Sequence, residues 1–155
     1  MSIMPLRDKE TLFAIPMKKN HLGDVVVIER LCFSEPWSEN SLELLLGDGG
    51  VGFVVEVDRR AVAYGGMVTV LDEGQITNIA GHPDYRRSGY GRAVVLALTE
   101  YAAKKGITSI SLEVRESNIA AIALYESLGW KRCGIRKNFY KFPTEAAIVM
   151  VRSEI

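Results

Sequence analysis

The sequence predicts an α+β fold, an antiparallel β-meander that feeds one parallel β-α-β crossover. Three observations predict it. Short β-branched and alternating runs bounded by turn residues fill residues 51–82. Two runs of helical period, 91–106 and 117–129, follow in the second half. The order after the meander reads β-α-β-α-β-β, which leaves one right-handed crossover at the centre.

The elements can be justified in turn. LFAIPM (12–17) reads as a short edge strand. DVVVIERLCF (24–33) reads as a helix because Val27 and Leu31 recur at helical spacing. PWSENSLELLLGDGG (36–50) holds a second helix, with Ser38 as N-cap, Ser41 as the weaker option, and the Gly47–Gly50 cluster as its stop. VGFVVEV (51–57) and AVAYGGMVTVL (61–71), joined by a turn at DRR, read as paired antiparallel strands. GQITNIAGH (74–82) is the next strand. GRAVVLALTEYAAKKG (91–106) is a helix with Lys104 and Lys105 in its last turn and Gly106 beyond it, as a C-terminus favours. ITSISLEV (107–114) alternates as a strand. SNIAAIALYESLG (117–129) is a helix ending in a left-handed cap at Gly129, and WKRCGIR (130–136) and AAIVMVR (146–152) finish as strands.

Length and composition narrow the function. At 155 residues, 48% hydrophobic and 25% charged, the chain reads as one soluble domain with a core of useful size. No window approaches the ~18 apolar residues of a membrane span, and MSIMPLRDKETLF has no apolar stretch of a secretory signal, so a cytoplasmic protein is expected. Cys32 and Cys133 are far apart and read as buried reduced thiols. With only His21 and His82 besides them, no metal site is expected. Net charge is zero, yet residues 21–80 carry ten acids against three bases and residues 81–155 seven acids against twelve bases. The basic half suits an anionic ligand. Its bases form no long run and few aromatics are interleaved, so no nucleic-acid groove is expected.

HPDYRRSGYGRA (82–93) concentrates the anion chemistry. It places Arg86, Arg87, Ser88, Gly89, Tyr90, Gly91 and Arg92 between a strand and a helix N-terminus. First-turn N–H groups have no helical partners, and the helix dipole adds partial positive charge there. The glycines let a ligand approach the backbone, and the arginines can add charge-assisted bonds. An ordinary βα turn with surface arginines is the alternative. A Walker loop, GxxxxGK[ST], is absent. A dinucleotide fingerprint fails at its third glycine, where Val94 stands, and HPDYRRS separates the strand from the glycines. The remaining pattern, [QR]xxGx[GA], is met by Arg86 to Gly91.

That pattern resembles the pyrophosphate loop of the GCN5-related N-acetyltransferases (GNAT superfamily). The stretches CFSEPWS (32–38), NIAGHPDYRRSGYGRA (78–93), LEVRESNIAAIALYESLGW (112–130) and RKNFY (136–140) resemble its ribosomal-protein-alanine N-acetyltransferase branch, the RimI-like enzymes, over about residues 24–150. The resemblance implies a mixed, mostly antiparallel central sheet flanked by helices, with a splayed parallel pair of central strands. It implies acetyl-CoA as cosubstrate, with its pantetheine in place of a missing strand against Asn78, Ile79, Ala80 and Gly81. It also implies Asn118 as a cofactor contact.

Transfer of an acetyl group to an amine needs a proton acceptor for the amine, stabilisation of the oxyanion and a proton donor for the thiolate. The resemblance implies Glu113 as general base and Tyr125, seven residues after Asn118 and on the same helix face, as general acid. On pattern alone Glu113 reads as a solvated strand-end carboxylate and Tyr125 as a core tyrosine. Trp37 and Tyr140 match residues lining the peptide cleft of the branch; the pattern alone also allows core packing for Trp37 and a loop tyrosine for Tyr140. Three positions depart from the branch. Gly81 replaces a usual valine, which should loosen the strand; Phe139 replaces a common tyrosine; and Ala146 replaces an acid.

The expectation is direct acetylation of a protein N-terminal α-amine, with alanine first, on a small-subunit ribosomal protein, by a monomer or weak dimer that binds neither nucleic acid nor membrane. The alternatives are other protein N-termini, a lysine or a small amine as substrate; a non-catalytic acyl-CoA-binding module; and a dinucleotide-binding module.

Overall fold

The computed structural model describes residues 13–86 and 88–155. The meander is present. Strands β1 (Ile15–Pro16), β2 (Gly50–Val57), β3 (Arg60–Val70) and β4 (Glu73–Gly81) pair antiparallel in sequence order. Asp58 and Arg59 both take positive φ (51° and 67°), the geometry of a two-residue hairpin turn matched to strand twist. The second half adds β5 (Ser109–Arg115), β6 (Lys131–Tyr140) and β7 (Glu145–Arg152). The seven strands lie in the order β1-β2-β3-β4-β5-β7-β6. The β4–β5 pair is parallel, as the crossover requires.

Helices cover both faces. Helix α1 (Leu22–Cys32) and the short α2 (Glu39–Glu43) pack on one face through Leu22, Val25, Ile28 and Leu42, with Leu45 of the following 3₁₀ turn beside them. Ser38 caps α2 by accepting a bond from the Ser41 amide at 3.2 Å, as expected for that residue type. Helices α3 (Tyr90–Lys104) and α4 (Ile119–Ser127) cover the other face, where Val94, Leu98 and Ile122 join Ile110, Leu112 and Met150 in the larger core. Gly65 on β3 permits that contact: a Cβ there would lie 2.4 Å from Val94 Cγ1. No helix among the described residues is long and apolar enough to cross a membrane.

One expectation needs correction, that both cysteines are buried, and the buried face of α1 is one its periodicity left open. The face of α1 that meets the core is Leu22-Val25-Ile28, whereas Val27 and Leu31 are 45% and 52% exposed. The run VVVI carries apolar residues on two faces, so periodicity found the helix and not its buried side. Cys133 is exposed on β6, and Cys32 is only half-buried; both are free thiols. As the last strand of the sheet, β6 has solvent along most of its length.

Candidate active site

The site is the gap where β4 and β5 part. Their pairing runs from Glu73↔Ser109 to Gln75↔Ser111 and stops there. On its other edge, β4 carries a bulge: Gly66 pairs Asn78 and Met67 pairs Ile76, so Thr77 is the extra residue. A bulge bends its strand and re-aims side chains. Here it falls where β4 leaves β5. The opening is a cleft of ≈ 410 Å³, with Thr77, Asn78 and Ile79 on one wall and Leu112 to Arg115 on the other.

Glu113 and Tyr125 both line this cleft. Ser109, Ser111, Glu113 and Arg115 alternate with the buried Ile110, Leu112 and Val114, so Glu113 faces the α1 side of the sheet. Its side chain is 15% exposed and lies 3.5 Å from the Arg136 guanidinium. Tyr125, on α4, is 6% exposed and packs tilted against Trp130 at 6.1 Å. Burial, and then the neighbouring Tyr140, push its phenol pKa well above the usual 10. Its O–H therefore stays protonated at neutral pH. Tyr140, also in the cleft, is pushed up from 10 to about 12 by burial first and by Glu113 second.

Trp37 and Tyr140 form the far rim with Phe33 and Phe139. Arg115 ties this rim together. It donates to Glu145 Oε1 and the Pro143 carbonyl at 3.0 Å, to the Lys141 carbonyl at 2.9 Å and to Ser34 Oγ at 3.2 Å. Its guanidinium sits 4.6 Å from the Tyr140 ring centroid. The segment after α1 and the loop after β6 are thus joined across the end of β5. Glu145 supplies an acid one residue before Ala146, and its bonds to Ser117 and Arg115 hold its pKa below the usual range.

Ile79 and Asn118 line the cleft as well. Asn118 is the N-cap of α4, its Oδ1 accepting from the Ala121 amide at 3.2 Å. Ala80, Gly81 and the turn before α3 lie outside the cleft lining, farther along β4 and at the N-terminus of α3. Arg86, Ser88, Gly89 and Arg92 are exposed, Tyr90 and Gly91 half-buried. Arg87 lies outside the described residues. Gly89 is the N-cap at φ 81° and offers no side-chain cap, so the first amides of a 15-residue helix remain available to an anion. Arg86 turns back to Cys32 Sγ at 3.5 Å. Gly81 keeps its place opposite Ala63, and the next amide bonds the Val62 carbonyl at 2.7 Å, so the backbone pairing survives the glycine.

The sequence reading missed Glu29, Arg115 and the side chain of Asn78. Glu29 looks like a surface acid in VIER, and only the fold buries it. Arg115 had a signal in its position two residues after Glu113, on the same strand face.

A family model described as acetyltransferase (GNAT) family matches residues 22–130. The ribosomal protein bS18-alanine N-acetyltransferase of Escherichia coli (strain K12) is 42% identical over 127 residues, which cover 79% of this chain and 84% of that protein. A Bacillus subtilis (strain 168) protein named as a putative enzyme of the same kind is 37% identical over 136 residues, covering 86% and 90%. The crystal structure of the Escherichia coli ribosomal-protein-S18-alanine N-acetyltransferase matches with a TM-score of 0.84 at 36% identity, covering 92% of this chain and 94% of that one.

Proposed function

Since the chain belongs to the acetyltransferase (GNAT) family and is an acyltransferase, we propose that it uses acetyl-CoA to acetylate the N-terminal alanine of ribosomal protein bS18. The observation that carries the chemistry is that one cleft holds Glu113, Tyr125, Trp37 and Tyr140 together. The identity to the Escherichia coli enzyme carries the choice of substrate.

The residues present fit a thioester of a long, polyanionic carrier. Among the described residues, the β5-facing edge of β4 beyond Gln75 has no strand partner, which leaves backbone groups for an extended amide chain. The uncapped start of α3, with Arg86 and Arg92 near it, suits a pyrophosphate. When bound there, acetyl-CoA supplies an activated acetyl group. Glu113 takes the proton of the incoming amine, directly or through one water. An N-terminal α-amine has a pKa near 8, so one carboxylate with modest basicity serves; a lysine at about 10.4 asks more. Tyr125 presents its O–H to the departing sulfur as charge develops on it. Asn118 caps α4 with Oδ1 and keeps its amide N–H groups for the carrier. Trp37 and Tyr140 hold the first residues of the peptide.

The test is coenzyme A release with a panel of N-terminal peptides, followed by mass spectrometry of ribosomal N-termini with and without the protein. Turnover of an Ala-initiated bS18 peptide ahead of lysine peptides and small amines is expected. Turnover of a small amine with none of any Ala-initiated peptide would overturn the substrate. Acetyl-CoA binding without turnover of any amine would instead favour an acyl-CoA-binding module. A melting temperature raised by NAD and not by acetyl-CoA would point to a dinucleotide module.

A further inference from the structure

Glu29 is fully buried on α1, and among the described residues no cation pairs with it. Its carboxylate accepts three hydrogen bonds: from the Trp37 amide at 2.7 Å, from Asn78 Nδ2 at 2.9 Å and from the Tyr64 hydroxyl. Buried polar groups are held in place by such partners. The NH₂ end of the Asn78 amide donates to Glu29, so Oδ1 points the other way. Asn78 and Trp37 both line the cleft. Asn78 and Glu113 stand on the same face of the sheet, one on each side of the gap between β4 and β5.

We infer that Asn78 binds the incoming amine through Oδ1, and that Glu29 is the positioning residue that keeps this oxygen turned to the cleft. The inference rests on the amine-acetylation reading above. An amine carries only N–H groups and one lone pair, so an acceptor suits it before and after Glu113 removes a proton. Two acceptors flanking the nitrogen, Asn78 Oδ1 and Glu113, direct its lone pair out of the wall toward the acetyl carbon. Through Trp37, the Glu29 carboxylate fixes the rim against this wall.

Exchange of hydrogen-bond polarity tests this. In Glu29→Gln the introduced amide can turn an N–H to Asn78, whose amide must then flip and present a donor to the amine. Asn78→Asp alone sets two carboxylates against each other. The pair Glu29→Gln with Asn78→Asp reverses the bond and returns an acceptor to the cleft. Loss of the hydrogen bond to the amine predicts that Glu29→Gln raises the peptide KM by about 10- to 100-fold, with the acetyl-CoA KM changed less than about twofold. In Asn78→Asp the facing carboxylates push the side chain out of place, and a raised peptide KM is expected there too. The pair should return the peptide KM to within about threefold of the parent. A role confined to packing predicts no such rescue. An unchanged peptide KM in Glu29→Gln, equal rises in both KM values, or a pair no better than the poorer single variant would overturn the inference. If Glu29→Gln does not fold, Asn78→Ala decides: a raised peptide KM is expected, and an unchanged one overturns it. Retained kcat in Glu113→Gln would sink the underlying acetylation reading instead. Loss of kcat there, with Asn78→Ala unaffected, sinks only this inference.

Discussion

At the scale of the residue, the site works by giving neighbouring groups different surroundings. Glu113 keeps contact with solvent and a guanidinium, whereas Tyr125 is enclosed. In the proposed reaction the first takes the proton of the amine and the second retains its own until a negative sulfur faces it. Glu113→Gln should lower kcat by about 10²–10⁴-fold with little change in acetyl-CoA binding, since general-base catalysis contributes on that order. Tyr125→Phe should also lower kcat. Steady-state rates with calorimetric binding check both, and unchanged transfer in either variant would overturn the role given to that residue. Because Tyr125 is pushed well above 10, the rate should show no alkaline decline from this phenol below about pH 10. Arg115 acts on the rim, not on the reacting atoms. Arg115→Ala releases four hydrogen-bonded groups at once, so a raised peptide KM with a near-normal acetyl-CoA KM is expected.

At the scale of the element, β4 and α3 are the proposed cofactor side, and two glycines there behave differently. A Cβ on Gly81 would meet nothing within 4 Å, and β-branched residues suit strands. Gly81→Val should therefore stabilise the protein by about 0.4–1 kcal/mol through the unfolded state, raising Tm by a few degrees, with transfer retained. A fall in Tm would show that the space is not free. Gly89 takes φ 81° at the start of α3. Gly89→Ala should cost about 1–2 kcal/mol of backbone strain and weaken acetyl-CoA binding more than peptide binding. Differential scanning fluorimetry with each ligand separates the two effects. The elements themselves were legible because turns, caps and periods are local. The core-facing side of α1 was not, since VVVI is apolar on more than one face and only packing against β3 and β4 selects Val25 and Ile28. The exposure of Cys133 was hidden for a similar reason: β7 lies between β5 and β6, which makes β6 the edge.

At the scale of the whole molecule, ionisable groups set the pH range of the fold. Asp24, bonded to Arg60, and Glu145, bonded to Ser117 and Arg115, are held below their usual values. Their contribution is present above about pH 4 and is lost as pH falls through the lowered values. Tyr140 is raised to about 12, and Tyr64 and Tyr125 are raised as well, all chiefly by burial. That contribution is complete below pH 10 and is lost as pH rises through the folded values. Tm should accordingly be flat between about pH 6 and 9, falling below 4 and above 10. A steep change near neutrality would contradict this assignment.

The amino-acid sequence by itself determined the order of elements, the single crossover and the glycine–arginine turn. Each rests on spacing along the chain, and backbone geometry converts spacing directly into periodicity, turn type and helix ends. The roles expected of Glu113 and Tyr125 came instead from the family resemblance, since pattern alone reads them as a strand-end carboxylate and a core tyrosine. Only the tertiary structure decided that β4 and β5 part after Gln75, that β7 inserts beside β5, and that Arg115 joins Ser34 to Lys141. It alone places Glu29 behind Asn78 and Trp37. Those contacts join residues up to 81 positions apart. A carboxylate in a helix has the same local sequence whether it faces water or three donors. Burial by distant strands makes the difference, and no local pattern records it.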